Sequence, residues 1–486
     1  MMGIIDKVLA SVAPGMALRR AQARAALRHY EAADQGRRLG NRRRVGGDAN
    51  ASLVGKQLPS AEAARDLVRN NAWAARALAG LVNNAIGYGI TSEPKHPNKI
   101  KARRLRDAFT AWAGSRNVSA TRQLDWFGTQ AVGFRSIAEG GACFVLETTA
   151  ADGDLSLQLM EREFLDESRG TRGIDYDSRG APVTYYLYDQ HPGDTTGGMV
   201  RTTSTAYPAS RVAHVYRIDR LGQRDGITWF APVAMDLHDL DGYEDATLMK
   251  QKVAACFAGF VEQGGSSLGA ATPTGVTISD KIEPGALELL PPGSKITFPN
   301  APTNSDYSPF VQARLRRIAA GLGMSYEALT GDLSEVNFSS GRMGWQEFQR
   351  NIDGWQWQMF IPMFVSRVCE WWLRRAVARG IISEQDAAAV TWEHTPPRRT
   401  VVDPSREYPA LRDAVRAGLV TFPEALRELG KTFDQHAEEM QFAQSELDRL
   451  GLVVESDARR AVGSANADTV GNDPTQTQGS AQNGAA

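Results

Sequence analysis

Apolar residues recur every three or four positions from residue 61 to about residue 80, where Leu67, Val68, Trp73, Ala74, Leu78 and Leu81 share one side of a helix behind Ser60, a residue suited to N-capping. The same period predicts helices over residues 100–113 and 124–139. After Gly140-Gly141 the period shortens to two. Residues 142–149 and 155–161 read as strands joined by the turn Ala151-Asp152-Gly153-Asp154, and residues 173–177 and 182–189 flank a second turn, Asp177-Ser178-Arg179-Gly180. Alternation returns over 212–218. Residues 60–235 therefore read as one α+β unit.

A long helix is predicted over 236–261, with Leu237, Leu240, Tyr243, Met249, Val253, Phe257 and Phe260 roughly on one side and a length of about 38 Å. Its first turns carry Asp236, Asp239, Asp241, Glu244 and Asp245, and Lys250 and Lys252 follow, the polarity that suits a helix dipole. Residues 264–309 hold seven of the 22 prolines and the short β-prone pieces 275–279, 286–290 and 295–298. Such a stretch is too long for a plain connection and reads as a small β-rich excursion between two helices. The returning helix, 310–322, places Val311, Leu315, Ile318 and Leu322 on one face. Residues 330–340 are polar and irregular. A helix is then predicted over 341–379, containing five of the ten tryptophans, with Trp345, Phe348, Ile352, Trp355 and Met359 in one stripe and Phe364, Val368, Trp371 and Trp372 resuming it beyond Pro362, where a kink is expected. This stripe reads as core. A proline-rich link, 395–404, leads to helical residues 405–450, interrupted at Gly418 and Gly430.

Hydrophobic residues at 42% and charged residues at 23% place most of the 486-residue chain among globular proteins and exclude a rod or a wholly disordered chain. The segment 453–486 has no aromatic residue and too few apolar ones to offset the entropy of ordering, so it is expected to be a disordered tail. Residues 360–373, the most apolar run, are broken by Pro362, Ser366, Arg367 and Glu370, which argues against a membrane span. The N-terminus lacks the pattern of a secretory leader. Cys143, Cys256 and Cys369 are too scattered for a disulfide framework or metal cluster, and a reducing cytosol is the expected compartment. The net charge of −1 argues against bulk electrostatic adhesion to nucleic acid. Residues 1–58 form an expected arm, basic between Arg19 and Arg44.

Catalytic patterns fail on context. Gly265-Ser266-Ser267-Leu268-Gly269 spells a nucleophile elbow, but a helix precedes it and Pro273 follows, so a flexible joint is favoured over a hydrolase using Ser267. Residues 425–432 end like a phosphate-binding loop yet lack its first glycine, and Tyr326 stands where a dinucleotide fingerprint opened by Gly321-Leu322-Gly323 needs a third glycine. The seven histidines show no metal-ligand spacing. Glu161 with Glu163, and Asp239 with Asp241, read as solvated faces.

The stretches from Ala64 to Ala72 (ARDLVRNNA) with Asn83-Asn84, from Arg317 to Leu329 (RIAAGLGMSYEAL), and from Asn337 to Arg342 (NFSSGR) resemble the portal proteins of tailed bacteriophages, in particular the lambda-like family. The resemblance implies an α/β wing over 59–235, a stem helix over 236–262, a clip over 263–306 and a second stem segment over 307–330, whose helix ends near 323. It further implies a tunnel loop over 331–340, a long kinked helix with the wing return over 341–400, and a helical crown over 401–452. Members of that family form a ring of about twelve subunits at one capsid vertex. They admit double-stranded DNA driven by the terminase large subunit, release it at ejection, and hold head-tail connector proteins beside the major capsid and scaffold proteins. No catalysis, metal, cofactor or membrane is implied, and the expected location is the virion, after assembly in the host bacterial cytoplasm. The alternatives are another capsid or tail-connector protein, or the Ser267 hydrolase.

On this reading Leu333, Ser334, Glu335, Val336, Asn337 and Phe338 approach DNA, with Glu335 and Asn337 near the axis and Phe338 placed equally well against a neighbouring subunit. Asp239, Asp241, Glu244, Asp245, Lys250 and Lys252 would line the stem. A stem of about 38 Å surrounds roughly 22 phosphates, so one lysine per subunit on its wall would hold DNA too firmly for a two-way passage. The surplus of acidic over basic residues across 236–262 avoids that grip.

Overall fold

Asn71 divides the first apolar stripe between two helices. In the computed structural model, which describes residues 47–194, 203–256, 260–262, 288–290, 307–334, 338–398, 401, 403–452 and 454, the chain opens with α1 (Ala49–Leu53), α2 (Gln57–Asn70) and α3 (Ala72–Ala85). Asn71 is extended between the last two, and its side-chain oxygen accepts the Ala74 N–H at 2.9 Å. The single helix expected over 61–80 is thereby corrected. A cap supplies an acceptor to a new first turn, and hydrophobic spacing does not register it. Ser60, expected to cap, lies inside α2.

Next come β1 (Thr91–Lys95), α4 (Lys99–Ala113), α5 (Trp126–Gly140), β2 (Ala142–Thr149) and β3 (Leu155–Glu161). Helix α4 starts behind Asn98, which accepts from the N–H groups of Ile100 and Lys101. Strands β2 and β3 take the predicted hairpin with Phe144 opposite Met160. They are followed by β4 (Ile174–Tyr176), β5 (Pro182–Tyr188), β6 (Ser204–Pro208) and β7 (Val212–Tyr216). Two antiparallel sheets result, β3-β2-β7 and β4-β5-β6. Strand β6 had no counterpart in the sequence reading.

The long helix expected over 236–261 is α6 (Ala234–Cys256), which stops short of residue 261, and the chain is extended by β8 (Phe260–Glu262), which pairs in parallel with β9 (Glu288–Leu290). The rest of the proposed clip, including Ser267, lies outside the described residues, as do residues 1–46 of the arm and nearly all of the tail. Helices α7 (Tyr307–Leu322), α8 (Tyr326–Thr330) and α9 (Phe338–Trp355) follow.

Beyond α9 the backbone winds as a π-helix over Gln356–Val365 before α10 (Ser366–Ala378). Pro362 has no N–H to give, and the Ser366 N–H reaches back five residues to the Ile361 carbonyl. The interruption foreseen at Pro362 thus takes the form of a widened helix. This segment is the centre of the core. Phe360 and Phe364 are fully buried, Phe360 edge-on to Phe134 at 5.7 Å and Phe364 stacked on Trp126 at 5.7 Å. Gly133 lets α5 approach so closely, since a Cβ there would lie 2.7 Å from the Phe364 ring. Trp371 and Trp372 are buried as the stripe required, whereas Trp357 is half-exposed.

After α11 (Glu384–Ala387), β10 (Thr391–Thr395) returns to pair antiparallel with β1, joining residues three hundred positions apart. The chain ends in α12 (Pro404–Arg416), α13 (Phe422–Glu428) and α14 (Phe433–Arg449), separated at Gly418 and Gly430, both of which have left-handed backbone. One apolar cluster runs from Ala64 to Ile382, so the sheets, the roots of α6 and α7 and the long helix share a core.

Candidate functional site

The roots of α6 and α7 are held together inside one protomer. Leu237 and Leu240 are buried in the same cluster as Leu315, Ile318 and Leu322, on the faces that the sequence pattern assigns to burial. Beside them Asp236 is buried, accepts from Arg314 Nη1 at 3.0 Å and forms an ion pair with Arg317 Nε at 3.0 Å. One turn further, the Tyr243 ring stacks on Tyr307 at 5.9 Å and tilts onto Phe310 at 4.5 Å.

Past Tyr243 the apolar packing thins. Leu248 and Met249 are exposed, and so is Phe310 on α7. Of the six residues expected to line a channel, Asp239, Asp245, Lys250 and Lys252 are exposed, and Asp241 and Glu244 are half-buried. A helix turning about 100° per residue cannot present all six on one wall. Asp239 and Lys250, eleven positions apart, share one side; Asp241, Asp245 and Lys252 share another, roughly opposite. Glu244 turns inward. Burial pushes its carboxyl up, as do Asp241 and Asp245, against a hydrogen bond with Trp73 that pulls it down.

Helix α7 adds what the sequence reading left out of the charge count. Residues 236–262 hold six acidic and two basic residues, 2 − 6 = −4, while 307–322 hold Arg314, Arg316 and Arg317 and no acid, +3, so the pair carries −4 + 3 = −1. The acidic first turn of α6 is answered by its partner helix.

In the loop, Gly331 adopts a left-handed conformation and Asp332 accepts from the Ser334 N–H at 3.0 Å and hydroxyl at 2.7 Å, bonds that hold its carboxyl below the usual range. This turn leaves Leu333 and Ser334 exposed. Glu335, Val336 and Asn337 lie outside the described residues, and Phe338 starts the backbone of α9.

Elsewhere, ligand atoms of Glu161, Glu163 and His191 lie within 4.8 Å of one another. Arg65 occupies the cluster, with Nη1 2.5 Å from Glu163 and Nη2 3.4 Å from Glu161. The Nδ1 atom of His191 accepts from the Gly193 N–H, which leaves its proton on Nε2, 3.4 Å from Glu161. The Arg65 guanidinium already meets both carboxylates, so the arrangement is an ion-pair cluster. Glu163, expected on a solvated face, is corrected to a mostly buried partner of Arg65. His394 on β10 bridges β1 and α10: Ser92 Oγ is 2.9 Å from its Nδ1 and Ser366 Oγ is 3.0 Å from its Nε2.

The sequence profile described as "Phage portal protein, lambda family" matches residues 35–356. The chain is 27% identical over 424 residues to the "Probable portal protein" of Halomonas phage phiHAP-1, covering 79% of this chain and 78% of that one. It is 24% identical over 482 residues to the portal protein of Escherichia phage N15, covering 85% and 87%. Its identity to portal protein B of Escherichia phage lambda is 25% over 311 residues, 55% and 57% of the two chains. Among solved structures, a chain of the neck of an empty gene transfer agent particle computed with C6 symmetry aligns over 74% of this chain and 90% of its own with 13% identity and a TM-score of 0.41, too slight a likeness to bear on the fold. The profile spans well over half of the chain, from residue 35 through the sheets β3-β2-β7 and β4-β5-β6 and helices α6 and α7 to the start of the π-helix: the chain belongs to the lambda family of phage portal proteins.

Proposed function

We propose that about twelve copies of this portal protein close into a ring at one capsid vertex and conduct double-stranded DNA in both directions, inward under a separate terminase and outward at ejection. The observation that carries this reading is the divided burial of the stem. Each protomer covers the roots of α6 and α7 but leaves Leu248, Met249 and Phe310 exposed, and sister copies around an axis would cover them. Residues 59–235 act as the wing, 263–306 as the clip that meets terminase and head-tail connector proteins, and 401–452 as the crown. The tunnel loop, 331–340, approaches DNA by shape and mild polarity. The role needs no catalytic group, metal or cofactor, and places the protein in the virion after assembly in the host cytoplasm.

Mass measurement of the purified full-length protein tests the ring: a species of about twelve chains is expected, and a monomer or dimer that turns over esters would return the hydrolase reading. Deleting Leu333 to Phe338 should leave the ring intact and reduce the DNA retained in assembled particles. Unchanged DNA content would remove the loop's role.

A further inference from the structure

Among the described residues, side-chain ties that run through lysines and arginines join α12–α14 to the rest of the protomer. Lys95 Nζ is 2.7 Å from Asp434, Arg106 Nη2 is 2.5 Å from Glu438, and Arg342 Nη2 is 3.7 Å from Glu407. Arg427 pairs with Glu393, and Arg398 donates to the Tyr408 hydroxyl. Apolar docking at the same junction is sparse. Among the described residues, neither buried apolar cluster includes a residue of these helices, only Ala425 and Leu426 of α13 are buried within them, and no residue of α12 or α14 is. Where α14 crosses β1 and α4 there is a cavity of about 410 Å³, bordered by Phe109, Ala113, Phe127, Thr432 and Gln435.

We propose that α12–α14 are a body latched to the wing by ion pairs, which lifts from β1 and α4 when ionic strength rises. The arrangement of Glu93 is what makes release feasible. Its buried carboxylate, 5% exposed, lies 3.0 Å from Lys95 and 3.4 Å from Arg106. When Asp434 and Glu438 let go, both cations keep this inner counter-charge, so opening strands no buried charge. The departing carboxylates are 45% and 51% exposed, within reach of salt. Salt weakens exposed ion pairs, whereas apolar contacts hold or strengthen. The latch is a property of the protomer and does not rest on the ring or on DNA.

Hydrogen exchange of the full-length protein at about 50 mM and about 500 mM sodium chloride tests it. Amides of residues 433–449 should exchange about fivefold faster at high salt, the effect of two half-exposed pairs, while those of 142–149 stay unchanged. D434N/E438Q, altered only on the exposed side, should exchange fast at both concentrations. Equal exchange of wild-type 433–449 at the two concentrations, or a salt response in D434N/E438Q as large as that of the wild type, overturns the latch. So does opening that occurs only where the oligomer's mass falls in the same samples, which would assign the salt effect to contacts between copies.

Discussion

Replacing Asp236 with asparagine should loosen helices α6 and α7 at the point where they are joined. The carboxylate is 8% exposed and carries two arginines at 3.0 Å each, but the arginines are unequal: Arg314 is 34% exposed and Arg317 is 68% exposed. A charge-assisted hydrogen bond to a buried acceptor contributes about 1.5 kcal/mol or more, and a mostly exposed ion pair about 0.5 kcal/mol. The sum, about 2 kcal/mol, corresponds to about thirtyfold in a local opening equilibrium. Native-state hydrogen exchange over residues 234–240 reads that opening without requiring a two-state transition of the whole chain. A double-mutant cycle then divides it: D236N coupled with R314M should give about 1 kcal/mol more interaction energy than D236N coupled with R317M. Exchange unchanged in D236N, or equal coupling to both arginines, would refute the view that burial at this joint sets the strength of the pairing.

Two further outcomes follow from buried titratable groups. Burial pushes the Cys143 thiol up to about 12 and raises that of Cys369 as well. The thiolate is the reactive form, so a thiol reagent at about pH 8 should modify neither residue in the native protein and both after denaturation, as read by peptide mass spectrometry; rapid native labelling of either one would contradict the packing described. Burial lowers the pKa of His394 below its ordinary value of about 6.5. The unfolded chain therefore binds more protons in the window just below that value, and the stability associated with His394 is full above it and lost as pH falls through it. H394Q should flatten the dependence of the unfolding temperature on pH in that window, and an unchanged slope would sink the assignment.

The parts of the fold that were legible in the sequence are those whose signal is local. Strands β2 and β3 fall on 142–149 and 155–161 because alternation and the Asp152-Gly153 turn act within a few residues. Strand β1 was invisible because Glu93, Pro94 and Lys95 have the composition of a loop, and its partner, β10, lies some three hundred residues away. Pro362 signalled an interruption, but a missing N–H can be absorbed by a kink or by a wider helix, and the packing of Phe360 and Phe364 selects between them. At the candidate site, the acids of α6 were plain and their counter-charges were not, since Arg314 is separated from Asp236 by 78 positions. Glu163 was misread for the same reason: Arg65 lies 98 positions from it.

The geometry of α6 also sharpens the argument for a channel that does not grip its cargo. Neutrality of the whole chain says little, because a ring could still concentrate lysines on its inner wall. Helical phase prevents this here. With Asp236 taken up by Arg314 and Arg317, the side of α6 bearing Asp239 and Lys250 sums to zero, and the side bearing Asp241, Asp245 and Lys252 sums to −1. Whichever of these two sides turns toward an axis, each protomer offers it between no charge and a single negative one. Each lysine of α6 shares its side with at least one carboxylate, so repeating this helix around an axis builds no belt of unopposed lysines from it. Counterion release, the main source of affinity for duplex DNA, would then have little to draw on along this helix.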